Sequence, residues 1–234
     1  MPTVAPPAPA APALAPPAAP TFWANACADL TRSDPVLGEV IRACGPQGLV
    51  PRGDPFLTLA RSVVGQQISV AAAQAIWNRF EKACGQVHPD RVSRMRASTL
   101  TGCGLSVRKV YYLRDLARGF LSGELDPSAW PALDDEAVIT ELTRVRGIGR
   151  WTAEMFLIFN LQRPDVLPLD DIGLLRAVAL HYPVADGPDD DAGTAARHRR
   201  NRVRAQALGE NWRPWRSVAT WYLWRSLDPV AVEY

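Results

Sequence analysis

Residues 142–153 read LTRVRGIGRWTA. Gly147 and Gly149 flank one apolar residue, Ile148, between two stretches of helical periodicity. Glycine permits a tight turn and lets the backbone approach a ligand closely. The amides that open the next helix, at Arg150, Trp151 and Thr152, lack intrahelical acceptors and can hold a phosphate. An ordinary helix–helix connection fits this stretch equally well. Twenty positions after Trp151 stands Asp171, in DVLPLDDIGLLRAV, with Asp170 beside it; an aspartate there also suits a helix N-cap. Upstream, Gln66 and Gln67 open the helical segment of VVGQQISVAAAQAIW, where their amides could simply be a solvated turn. Downstream, WRPWRSVATWYLW spaces Trp215, Trp221 and Trp224 as core residues of a helix also would.

In this order and spacing, LTRVRGIGRWTA resembles the helix-hairpin-helix, a sequence-independent binder of the DNA backbone. The four segments together resemble the helix-hairpin-helix DNA glycosylase superfamily, in its bacterial 3-methyladenine DNA glycosylase II branch and the yeast-type relatives. The resemblance spans roughly Trp23 to Asp228. It implies an all-α fold of two helical lobes with a base-binding cleft between them. The activity it implies is hydrolysis of the N-glycosidic bond of alkylated purines (3-methyladenine, 7-methylguanine) in double-stranded DNA.

On this resemblance Asp171 is the catalytic carboxylate, with Asp170 a competitor. Breaking an N-glycosidic bond builds positive charge on the sugar, which a fixed carboxylate stabilises while water attacks. Trp151 and Trp224 match the aromatic walls of the base pocket, and an indole face attracts a cationic base. Met155 and Ile172 stand near that pocket where the bacterial type carries aromatics. Gln67, with Gln66 beside it, falls where the family fills the gap left by a flipped nucleotide. Gly147, Ile148, Gly149, Arg150 and Thr152 fall where the family grips the backbone. The backbone carbonyls of Thr143, Val145 and Ile148 are expected to hold a structural monovalent cation. Bifunctional relatives carry an attacking lysine at the position of Trp151. The only lysines here are Lys82 and Lys109, so no lyase step is expected. Arg108 and Lys109, in LSVRKVYYL, match a common family segment and read mainly as structural. No cysteine lies beyond Cys103, so no iron–sulfur cluster is expected, and catalysis requires no cofactor. A non-catalytic DNA binder and a glycosylase for oxidised or mismatched bases are the rival readings.

These residues need helices to carry them. Apolar periodicity predicts helices over 23–30 and 35–44. Asp54 with Pro55 opens one to about Val64, and Ser69 opens one over 70–84, closed by Gly85. A short turn is expected over 98–103. Ser106 caps a helix over 107–121. Asp134 or Asp135 starts one to about Arg144, and Arg150 to Asn160 follows the glycines. Asp170 or Asp171 starts another to His181, and the last two cover 194–209 and 214–227. No stretch alternates as a strand does.

The 234 residues carry 26 basic and 24 acidic side chains, a net charge of +2. At 47% hydrophobic the chain is not disordered as a whole, and it has no apolar run of membrane-spanning length. Grip on DNA must therefore come from placed groups rather than bulk charge. The basic run RHRRNRVR, 197–204, is either a DNA-facing stripe or a solvated face paired with the acidic loop over 185–193. Cys27, Cys44, Cys84 and Cys103 form no CxxC pair and are expected as reduced, mostly buried thiols in a cytoplasmic, nucleoid-associated, monomeric bacterial protein. Residues 1–20, almost entirely Ala and Pro, read as a disordered tail. The β-rich domain that precedes the helical lobes in longer relatives is expected to be missing, which would narrow or shift the substrate range.

Overall fold

The computed structural model describes residues 19–45, 47–183 and 193–227, and in these it contains helices and no strand. The expected tail before residue 19 and most of the acidic loop lie outside the described residues. The elements are α1 (Trp23–Ser33), α2 (Pro35–Cys44), α3 (Pro55–Gly65), α4 (Val70–Cys84), α5 (Pro89–Arg94), α6 (Ala97–Gly102) and α7 (Val107–Ser122). A 3-10 turn follows at Trp130–Ala132, then α8 (Asp135–Thr143), α9 (Arg150–Phe159), α10 (Ile172–His181), α11 (Thr194–Asn211) and α12 (Arg216–Leu227).

Short polar side chains set the helix starts. Asp34, Asp54, Ser69, Ser106, Asp134 and Asp171 each accept the amide three residues ahead, at 2.6 to 3.3 Å. Of the two ambiguous aspartate pairs, Asp134 and Asp171 do the capping. The sequence reading misses α5 and the 3-10 turn, each too short to show a helical period. It also ends α11 too early: the helix runs through buried Gly209 to Asn211.

Helices from both ends of the chain pack together: α1 and α2 meet α12, which with α11 also packs on α10. The middle of the chain, α3 to α7, packs as a second group, and the α8–α9 hairpin joins it through contact of α9 with α3. One continuous apolar core runs through both groups. Asp34 ties the terminal group together: besides capping α2, it accepts Tyr182 Oη at 2.7 Å and Trp212 Nε1 at 2.8 Å. All four cysteines are free, and burial raises their pKa values, that of Cys84 to about 11. Among the described residues no helix is long and apolar enough to cross a membrane.

Candidate active site

A cavity of about 520 Å³ opens between the α3–α4 turn and α9. The turn contributes Gln66, Gln67 and Ile68 to its lining, the hairpin contributes Gly147 and Gly149, and α9 contributes Trp151, Thr152, Met155 and Phe159. Seven residues singled out from sequence thus meet at one place.

The hairpin turn depends on its first glycine. Gly147 has φ +91°, and a β-carbon there would lie 2.3 Å from the Tyr112 ring, so backbone and ring approach as only glycine allows. Gly149 precedes α9 with no side chain accepting from the first-turn amides, which suits that helix start to an anion. The remaining hairpin residues divide. Ile148 is buried, so its side chain packs the core and only its backbone can face DNA. Thr152 is buried as well. Arg150 forms ion pairs on the protein: its guanidinium bonds Glu136 through both terminal nitrogens and Glu154 through Nε at 3.0 Å. Those two carboxylates turn the side chain toward α8 and the buried flank of α9. Glu154 is only 6% exposed. Burial is the largest influence on it and pushes its carboxyl up to about 7, against the lowering effect of Arg150.

Asp171 is 8% exposed. Its Oδ2 accepts Trp151 Nε1 at 2.9 Å, and its Oδ1 accepts Trp224 Nε1 at 2.7 Å and the Leu174 amide at 2.6 Å. The carboxylate is therefore both an N-cap and the meeting point of two indoles. These partners are neutral donors, so they orient the carboxylate without cancelling its charge as an ion pair would. Asp170 points elsewhere, to Arg202 at 2.9 Å on the surface.

Two of the expected pocket residues are not among those that line this cavity. Ile172 is 65% exposed and is not part of the cavity wall: as the first residue of α10, directly after the cap, its side chain projects to solvent. Trp224 also lies outside the cavity lining; it stacks on Phe159 with centroids 5.8 Å apart and planes 10° from parallel. Phe159 is the ring that faces the cavity. Met155 does line it and is otherwise buried. Trp221, by contrast, packs edge-on against Trp23 and Tyr222 in the core.

Sequence reasoning missed Arg52, Phe159 and Gly173. Arg52 lines the cavity, its guanidinium 4.9 Å from the Phe159 ring centre. Its backbone is fixed to the end of α9, with Arg52 N donating to the Phe159 carbonyl at 2.9 Å. Residue 52 stands in a stretch without periodicity, so nothing local marked it. Gly173 sits where a β-carbon would lie 3.0 Å from Asp171 Oδ1 and 3.1 Å from the Trp224 ring, leaving room for the indole to reach the carboxylate. In the basic run, Arg202 bonds Asp170 and Arg204 donates to the Tyr182 carbonyl at 2.8 Å. Those two arginines serve the fold, while Arg197 and Arg199 are exposed. Pairing of the run with Asp189 to Asp191 falls outside the described residues.

Residues 60–201 match the model of the HhH-GPD superfamily base excision DNA repair protein. The chain is 34% identical over 77% of its length to DNA-3-methyladenine glycosylase 1 of Schizosaccharomyces pombe, and covers 76% of that protein. It is 28% identical over 85% of its length to a DNA-3-methyladenine glycosylase of Bacillus subtilis, of which it spans 66%. A solved structure of the S. pombe 3-methyladenine DNA glycosylase in complex with abasic DNA superposes with a TM-score of 0.74 at 29% identity, covering 90% of this chain and 99% of that one.

Proposed function

The chain belongs to the HhH-GPD superfamily of base excision DNA repair proteins, and from that premise we propose that it is a monofunctional DNA glycosylase that excises alkylated purines from double-stranded DNA and leaves an abasic site. The observation that carries this reading is the Asp171 carboxylate, held by the indole N–H of Trp151 while Trp151 also lines a cavity roomy enough for a base.

The chemistry follows in order. The amides opening α9 hold a phosphate of the damaged strand, and the lesion leaves the stack at a cost of a few kcal/mol. Gln67, exposed at the tip of the α3–α4 turn, enters the gap. The base lies against Trp151, in the cavity that Phe159 also lines, with Trp224 stacked on Phe159. As the C1′–N bond breaks, its electron pair leaves with the base and positive charge grows on the sugar. Asp171 stabilises that charge, and water adds to C1′ and loses a proton. Trp151 stands where a lyase needs its amine, and the Lys109 ammonium is occupied by the Val64 and Gln66 carbonyls at 2.7 and 2.8 Å.

A structural monovalent cation at the Thr143, Val145 and Ile148 carbonyls belongs to the same reading. The Val145 carbonyl takes one hydrogen bond from the Ile148 amide, at 3.1 Å, which leaves a lone pair available. The cation would supply positive charge for a DNA phosphate. In this reading the protein acts as a monomer on chromosomal DNA in a bacterial cytoplasm.

The test is release of 3-methyladenine and 7-methylguanine from methylated duplex DNA, by wild type and by Asp171→Asn. Release by the wild type alone supports the assignment. Equal release by both removes Asp171 from the mechanism, and binding of abasic-analogue DNA without release of any base favours a non-catalytic binder.

A further inference from the structure

We propose that Lys109 is the positioning residue of the gap-filling step: its ammonium holds the α3–α4 turn in the shape that presents Gln67 to the duplex. This rests on the glycosylase reading above for the role of Gln67, and on the geometry of the turn for everything else.

The turn has three constraints. Lys109, in the first turn of α7, donates from Nζ to the Val64 carbonyl at 2.7 Å and to the Gln66 carbonyl at 2.8 Å. These carbonyls end α3, where the partial negative charge of a helix C-terminus meets a cation favourably. The Gln66 side chain donates from Nε2 to the Gly147 carbonyl at 2.8 Å, which links the turn to the phosphate-gripping hairpin. Between these anchors Gln67 has φ +59°, a left-handed backbone that a residue with a β-carbon adopts only when its surroundings impose it.

The surroundings here are few. Gln67, Ile68 and Ser69 are exposed, so core packing does not hold the turn. Lys109 stands on its inner side with its ammonium held by the Val64 and Gln66 carbonyls, and burial lowers its pKa. Its neighbour Arg108 contacts the Tyr112 hydroxyl instead, at 3.4 Å. Without the Lys109 ammonium the two carbonyls lose their donor, and Gln67 relaxes toward ordinary backbone angles. The wedge would then have to be ordered during base flipping, which slows the step without touching the chemistry.

The experiment compares full-length wild type, Lys109→Met, Lys109→Arg, Gln67→Ala and the Lys109→Met/Gln67→Ala double variant. The first readout is single-turnover excision of 7-methylguanine from duplex DNA. The second is the fluorescence of 2-aminopurine placed opposite an abasic analogue, which reports insertion into the stack without any bond breaking. Lys109→Met should slow excision about tenfold, and the double variant should be within about twofold of Gln67→Ala alone, because both changes disable one device. Lys109→Arg, which keeps donors for both carbonyls, should recover most of the rate. Lys109→Met should also lose most of the 2-aminopurine response. Multiplicative slowing in the double variant, or an unchanged 2-aminopurine response, would overturn the proposal in favour of general stabilisation. If wild type releases no base yet gives a 2-aminopurine response that Lys109→Met lacks, the glycosylase reading fails and the role of Lys109 stands.

Discussion

Trp151 donates its indole N–H to Asp171 across 2.9 Å while the same ring lines the cavity. One side chain therefore touches both the place for a base and the carboxylate that would face its sugar. Asp34 shows what distinguishes this site. It too is a buried N-cap that accepts two aromatic donors, Tyr182 and Trp212, but neither of those two rings lines the cavity, whereas Trp151 does. The hydrogen-bond pattern recurs; the adjoining cavity does not.

Asp171→Asn and Asp34→Asn should accordingly separate catalysis from stability. An asparagine still accepts the Leu174 amide as a cap, so Asp171→Asn should fold, with excision of 7-methylguanine reduced about 100-fold or more. Asp34→Asn should lower the melting temperature and leave excision per folded molecule within about twofold of wild type. Matched losses of activity in both variants would mean that Asp171 acts only as a cap.

Trp151→Phe keeps an aromatic face in the cavity and removes the N–H that orients Asp171. The expected result is a fall of about tenfold in the single-turnover rate with affinity for abasic-analogue DNA unchanged, since the lost interaction matters most as charge develops. A fall in affinity at unchanged rate would instead make the ring a binding surface alone.

How far the site is legible in the sequence depends on how local each signal is. The hairpin can be read because two glycines and a helix restart occur within a few residues, and the helix starts can be read because capping is a three-residue affair. Asp171 can be favoured over Asp170 by its distance from Trp151, but what each carboxylate touches needs the fold, which gives one aspartate two indoles and the other Arg202. Arg52 and Phe159 meet through a backbone bond between residues far apart in sequence, and no periodicity reports such a contact. Gly173 looks like a weak point in a helix until Trp224 is seen packed against it. That Trp224 stacks on Phe159 and bonds Asp171 rather than lining the cavity is likewise a packing outcome, since helical spacing says which residues share a face and not what stands in front of them.

Arg52 bears on which lesions are preferred. A fixed guanidinium over Phe159, beside the cavity, repels a cationic base by about 1–3 kcal/mol at the effective dielectric of a protein surface. Arg52→Met should therefore raise excision of 7-methylguanine relative to hypoxanthine by about tenfold. Competition between the two lesions in one duplex pool measures the ratio directly, and an unchanged ratio would remove Arg52 from the set of specificity residues.

Glu154 predicts a pH dependence of stability rather than of chemistry. Burial, the largest influence on it, raises its carboxyl from 4.5 to about 7, with Arg150 opposing and Asp170 and Glu136 adding like charge. A carboxyl raised in the folded state favours folding while it stays protonated. Its contribution is therefore complete below about pH 4.5 and is lost as pH rises toward about 7. Glu154→Gln has no such proton to lose. The melting temperature of the variant minus that of wild type should climb between pH 4.5 and 7 and level off above, as read by thermal unfolding across a pH series at constant ionic strength. A difference that stays flat through this window would mean that the Arg150 ion pair at 3.0 Å already offsets burial, and that Glu154 is charged throughout.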